Sequence, residues 1–212
     1  TRIKRFLKQR TEMLAGVSHD LRTPLTRMKL QISLMKDEKA KSELEVDVNE
    51  MTSMLDSYVS FVKTESPEPI ETIIINELIG DIVKTVEKNG VELTIKEKNT
   101  IQTSGRQIQL KRAFNNIIDN SQRYAKKIEI ILYTNEKDCV IEFNDDGEGI
   151  PRDKYEDVFK PFFTLDPSRN KLKGESGLGL TITRDIIRSH GGDVKLSESN
   201  LGGLKLKVLL PL

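Results

Sequence analysis

Apolar positions in the first third of the chain recur at coiled-coil spacing. Stepping by seven from Leu14 meets Leu21, Met28 and Met35, and Leu25 leads in the same way to Ile32. This predicts one long amphipathic helix over residues 2–36, ending at the charged cluster Lys36-Asp37-Glu38-Lys39. Leu44, Val48, Met51, Leu55, Tyr58 and Val62 then follow alternating steps of four and three, which predicts a second helix. Joined by a short turn, the two make an antiparallel hairpin. One hairpin cannot bury both seams well, whereas two copies can, so a homodimeric four-helix bundle is expected. The bland alternative is a hairpin folded onto the rest of its own chain.

The pattern changes after Ser66-Pro67-Glu68-Pro69, which reads as a linker. Residues 70–75 are strand-like, and Asn76 is placed to cap a helix carrying Leu78, Ile79, Ile82, Val83 and Val86. Strands are expected at 91–96 and 101–103. Next comes a helix at 107–124 with Ile108, Leu110, Phe114, Ile117 and Ile118 buried. Alternating runs at 128–134 and 138–145 flank Asn135-Glu136-Lys137 as a hairpin. A helix near 178–189 and strands at 193–198 and 204–209, joined through Gly202-Gly203, complete the chain. Irregular mixing of strands and helices favours an α+β fold, a sheet covered on one face by helices. The expected division is 1–65, a linker at 66–70, and 71–212.

Composition narrows the function classes. The 212 residues carry a net charge of only +1, which disfavours a globally basic nucleic-acid binder; the local excess of Arg and Lys on the first helix reads as a solvated face. Cys139 is the only cysteine, so neither an internal disulfide nor a cysteine metal cluster is expected, and its strand position suits a core thiol. No apolar run reaches membrane-spanning length and no signal peptide is evident. Ile3, Phe6 and Leu7 already carry the apolar stripe, so Thr1 reads as mid-helix, and a membrane segment is expected upstream.

Four stretches can carry chemistry. Stepping by seven through His19 meets Glu12, Thr26 and Ser33, so its imidazole faces water or a partner. A solvated surface histidine is the ordinary reading, but Asp20 is adjacent, Thr23 shares its face, and Pro24 removes a helical donor. Asn116 and Asn120 share a helix face that Arg123 and Tyr124 continue. A carboxamide oxygen suits Mg²⁺ and an arginine neutralises phosphate, although such pairs are usually solvated or capping. Asp145-Asp146-Gly147-Glu148-Gly149-Ile150-Pro151 is either a tight turn or a place where Asp145 accepts the adenine amino group while glycines admit the base. Gly174-Glu175-Ser176-Gly177-Leu178-Gly179-Leu180 precedes a helix, so its amides suit a polyphosphate. It is not a P-loop and does not follow a strand. Between these runs, Phe159, Phe162 and Phe163 are expected to be buried beside a basic loop bearing Arg169, Lys171 and Lys173. His190 is expected to cap a helix C-terminus.

In this order and spacing the stretches resemble the sensor histidine kinases of bacterial two-component signalling, over nearly the whole chain. Ser18-His19-Asp20-Leu21-Arg22-Thr23-Pro24 resembles the H box, Asn116 to Asn120 the N box, Asp145 to Gly149 the G1 box, Phe159 to Phe162 the F box, and Gly177-Leu178-Gly179-Leu180 the G2 box. The run from Ala15 to Arg27 is most like the osmosensing EnvZ type. The resemblance implies a dimeric phosphotransfer hairpin followed by a Bergerat-type α/β sandwich ATP-binding domain. It assigns catalytic roles to His19, Asp20 and Thr23, and nucleotide contacts to Asn116, Asn120, Arg123, Tyr124, Asp145, Gly147, Gly149, Ile150, Phe162, Arg169, Gly177, Leu178 and Gly179. Mg²⁺ falls to Asn120, the phosphoryl acceptor is a response regulator receiver domain, and the location is the cytoplasmic part of an inner-membrane protein. Glu175 departs from the family's glycine at the start of the G2 pattern. Two rivals remain: a chaperone- or topoisomerase-like ATPase, and a nucleotide-independent dimeric scaffold that docks a regulator.

Overall fold

The computed structural model describes residues 20–62, 68–86, 91–165 and 177–212. Its contacts divide the chain into two compact units, Thr1–Ser66 with Phe162–Leu178, and Pro67–Pro161 with Gly179–Leu212.

In the first unit, helix α1 is described over residues 20–33 and α2 spans Glu38–Val62. The helix runs through Pro24 and stops short of the expected residue 36. The reason is local. Asp37 Oδ1 accepts from the Lys39 and Ala40 amides at 3.0 and 3.2 Å, so Asp37 caps α2 and the turn must be complete before it. Leu34 and Met35 donate to the carbonyls three residues back, tightening the end of α1. Ile32 and Val48 are buried, while Leu21, Met28, Leu44 and Met51 keep 41–49% of their surface exposed.

The second unit is built on a five-stranded sheet. Its order is β2 (Glu92–Glu97), β4 (Lys127–Thr134), β5 (Asp138–Asp145), β7 (Leu204–Pro211), β6 (Asp193–Glu198). Only β2 and β4 run parallel; the other neighbours are antiparallel. A small antiparallel pair, β1 (Glu71–Ile74) and β3 (Gln102–Gly105), forms a second sheet. Alternation decides the faces: Ile128, Ile130 and Leu132 of β4 and Leu206, Val208 and Leu210 of β7 are buried, whereas Tyr133, Lys205 and Lys207 lie on the other side. Helices α3 (Ile75–Val86), α4 (Gln107–Tyr124) and α5 (Gly179–Ser189) cover the apolar face, with Phe114 of α4 meeting Phe143 of β5 at 6.1 Å between ring centroids. The α+β reading therefore holds, with helices on one layer and a mixed sheet on the other.

Three local expectations are corrected. Ile108 is 73% exposed rather than buried, because it sits in the first turn of α4, before the helix meets the sheet. Asn76 does not cap α3. Its Oδ1 accepts from the Ile101 amide at 2.8 Å and its Nδ2 donates to the Asn99 carbonyl, tying the β2–β3 connection to α3. Phe162 is 55% exposed, unlike buried Phe159, and its φ of 62° turns the side chain out of the path that an extended residue follows. Cys139 is buried, donates to the Gln102 carbonyl, and has its pKa pushed up to about 11 by burial and by Asp138, which makes it an inert core thiol.

Candidate nucleotide site

Asp145 ends the central strand β5 and is 5% exposed. A buried carboxylate needs donors, and it has them from three directions. Its Oδ1 accepts from the Gly147 amide at 3.1 Å and the Leu204 amide at 2.9 Å, and its Oδ2 accepts from the Ser121 hydroxyl at 3.1 Å. One acceptor direction on Oδ2 remains, enough for an exocyclic amino group. The cradle is too tight for side chains. A Cβ on Gly203 would meet the Asp145 carboxylate and the Gly147 amide, and one on Gly147 would sit 3.1 Å from the Tyr124 carbonyl. Gly149, at φ 70°, holds a conformation that glycine adopts without cost. The neighbouring Asp146 does a different job: its Oδ1 takes the Lys126 and Lys127 amides, both at 2.8 Å, which holds its carboxyl below the usual range and fixes the turn into β4.

Helix α4 joins this cradle to α5. Asn116 donates to the Gly179 carbonyl at 3.3 Å, and Thr183 bridges from α5 to the Ala113 and Gly179 carbonyls. One turn on, the Asn120 carboxamide has no hydrogen-bond partner among the described residues, while Arg123 and Tyr124 are exposed beyond it. The two asparagines of the motif thus differ: Asn116 aligns helices and Asn120 presents a hard neutral oxygen. Within α5, Thr181 donates to the Phe159 carbonyl, and Arg184 lies 4.5 Å over the Phe159 ring while pairing with Glu156 at 2.8 Å. In the other unit, the Phe162 amide donates to the Gly177 carbonyl, and a Cβ on Gly177 would strike the Phe162 backbone, so this crossing needs glycine. Leu178 is buried and Ile150 partly so.

On α1, Asp20 and Thr23 are exposed one turn apart. His19 and Arg169, together with Lys171, Lys173 and Glu175, lie outside the described residues.

Residues 9–66 match the family described as His Kinase A (phospho-acceptor) domain, and residues 105–212 match Histidine kinase-, DNA gyrase B-, and HSP90-like ATPase. The chain belongs to the sensor histidine kinases. Among these, it is similar to the sensor histidine kinase GtrS of Pseudomonas aeruginosa, 32% identical over 99% of this chain and 44% of that protein. Similarity to CpxA of Escherichia coli is 31% over 100% of this chain and 49% of that protein. The chain thus spans about half the length of the curated relatives it matches. The mycobacterial sensor histidine kinase MprB superposes with a TM-score of 0.60 at 24% identity over 68% of this chain and 97% of that one. Full-length ShkA in complex with AMPPNP superposes with a TM-score of 0.72 at 16% identity, over 95% of this chain and 46% of that one. At these identities the likeness is one of fold.

For a histidine kinase of this kind the ATPase domain implies use of ATP. Sequence reasoning had identified Asp145 and the glycines but missed Ser121, Gly203 and Leu204, which come from α4 and from the β6–β7 turn. Gly202-Gly203 was visible as a turn; nothing in its spacing tied it to Asp145.

Proposed function

We propose that this chain is a kinase core that phosphorylates its own His19 from ATP and passes the phosphoryl group to an aspartate of a response regulator receiver domain. The observation that carries this is the order of the two family matches: a phospho-acceptor domain whose match includes His19, followed by an ATPase domain. An imidazole nitrogen of His19 attacks the γ-phosphorus, an N–P bond forms, the bond to the β,γ-bridging oxygen breaks, and ADP leaves. Asp20 orients the ring or takes its proton. Asp145 reads the adenine amino group, Gly147, Gly149 and Ile150 admit the base, and Gly177, Leu178 and Gly179 offer amides to the phosphates ahead of α5; the family resemblance adds Phe162 and Arg169 to the nucleotide contacts. Asn116 holds α5, and Arg123 and Tyr124 assist at the phosphates. No group of three or more His, Cys, Asp or Glu residues forms a metal site among the described residues, and the donor that would hold Mg²⁺ is the Asn120 oxygen, which has no hydrogen-bond partner among the described residues. When bound, the cation neutralises phosphate charge.

Thr23, exposed one turn from Asp20, supports a second activity, hydrolysis of the phosphorylated regulator, as in the EnvZ type. The functional division is 1–65 for dimerisation and phosphotransfer, 66–70 as linker and 71–212 for ATP binding. No described helix is long and apolar enough to cross a membrane, and attachment to a bacterial inner membrane through an upstream sensor region fits the relatives' greater length.

Incubation with γ-labelled ATP tests the reading. Label that is acid-labile and alkali-stable is expected on the parent and absent from His19→Gln; label persisting in the variant would remove His19 as the acceptor. Calorimetry with ATP, with and without Mg²⁺, separates the scaffold reading, which requires no nucleotide affinity.

A further inference from the structure

Helix α4 carries Asn116 and Asn120, yet its own N-cap residue, Arg106, makes no side-chain cap. A helix start leaves four amides without intrahelical partners. Two of these, from Ile108 and Gln109, donate to the two carboxylate oxygens of Glu68, forty residues before Ile108. Capping carboxylates normally come from the helix's own first residues; this one arrives from the segment that joins the two units, between Pro67 and Pro69. Its negative charge faces the positive end of the helix dipole, and Pro69 restricts the backbone that carries it.

We propose that Glu68 is a latch that fixes where the joining segment enters the ATP-binding unit, and so sets the tether through which that unit reaches the phosphoacceptor helix. The inference rests on the kinase reading above. Glu68 is a positioning residue in it. With the latch closed, the chain ahead of β1 is held at Glu68; with it open, the first paired residue is Glu71 in β1, three residues on. A longer tether lowers effective concentration, so opening slows the encounter, and lost orientation adds to that.

The test compares the whole 212-residue chain with Glu68→Ala, Glu68→Gln and the double variant Glu68→Ala/Arg106→Ser, the last supplying a local cap hydroxyl in place of the latch. Hydrogen exchange of the Ile108 and Gln109 amides, ATP affinity by calorimetry, and the single-turnover rate of His19 labelling at saturating ATP are read together. Glu68→Ala is expected to exchange at least about tenfold faster at the two amides. Its ATP Kd should stay within about twofold of the parent, and its labelling should slow by roughly two- to fourfold. Glu68→Gln falls between, since a carboxamide has one acceptor oxygen. The double variant is expected to regain protection and stay slow. Unchanged exchange in Glu68→Ala would remove the contact. Labelling restored to the parent rate by Arg106→Ser would reduce Glu68 to an ordinary cap, and a rate that merely tracks ATP affinity would do the same. A parent chain that takes no label overturns the kinase reading and the tether role with it, while exchange still reports the contact.

Discussion

Asp145 is the residue on which the proposed nucleotide cradle turns, and its surroundings make it costly to disturb. Three donors hold a carboxylate that is almost wholly buried, which leaves one direction on Oδ2. Ser121→Ala removes the donor to that same oxygen and is expected to destabilise the unit by about 1–2 kcal/mol, with ATP affinity falling several-fold. Denaturant unfolding and calorimetry measure both, and an unchanged affinity would detach Ser121 from the site. Gly203→Ala is the harsher change, since the new methyl group has to displace Asp145 or the Gly147 amide. A loss of about 1–3 kcal/mol is expected, with ATP affinity lowered by at least about tenfold. Asp145 was legible in the sequence because a strand end followed by Gly-x-Gly is a local pattern. Ser121 and Gly203 were not, since their bearing on Asp145 exists only once α4 and the β6–β7 turn converge on it.

At the scale of elements, the sheet's open face has its own polar network, centred on β5. Glu142 accepts from Tyr133 Oη at 2.8 Å, pairs with Lys207 at 2.7 Å and Lys205 at 3.6 Å, and Lys98 lies 5.1 Å from the Tyr133 ring centroid. Burial on its own pushes the Glu142 carboxyl up, but the Lys207 and Tyr133 hydrogen bonds and the two lysine charges together hold it below the usual carboxylate range. A depressed folded-state value means that its contribution is complete above the ordinary glutamate range and is lost as pH falls through that range towards the folded value. Glu142→Gln is therefore expected to cost about 1–3 kcal/mol at neutral pH. The difference from the parent should shrink as pH falls below the ordinary glutamate range. Unfolding curves across that range check it, and a constant difference would assign the loss to packing alone. On the opposite layer, Thr181 and Arg184 of α5 hold Phe159, so the first helix after the glycine run also fixes the aromatic before it.

At the scale of the whole molecule, the first unit keeps a half-exposed apolar stripe among its described residues. Leu21, Met28, Leu44 and Met51 are each nearly half exposed beside buried Ile32 and Val48. A second copy is the proposed cover. Leu44→Glu/Met51→Glu places two charges in that stripe and is expected to weaken dimerisation by at least about a hundredfold, since each buried apolar side chain is worth roughly 1.5–3 kcal/mol. Sedimentation over a concentration series measures this, and an unaltered dimer would place the interface elsewhere.

Periodicity and short motifs by themselves determined the two kinds of unit, the two helices of the hairpin, the β4–β5 hairpin, α4 and α5, because hydrophobic spacing is imposed by the geometry of a single element. Family resemblance rested on equally local runs around His19, Asn116, Asp145 and Gly177. Only the tertiary structure decided what crosses between elements. It placed Asn76 on the β2–β3 connection instead of a helix cap, left Ile108 in solvent, divided Asn116 from Asn120, and brought Glu68 to the start of α4. Each of these depends on a partner more than 20 residues away or on where the sheet ends, and a hydrogen bond over such a distance leaves no period in the chain to be read.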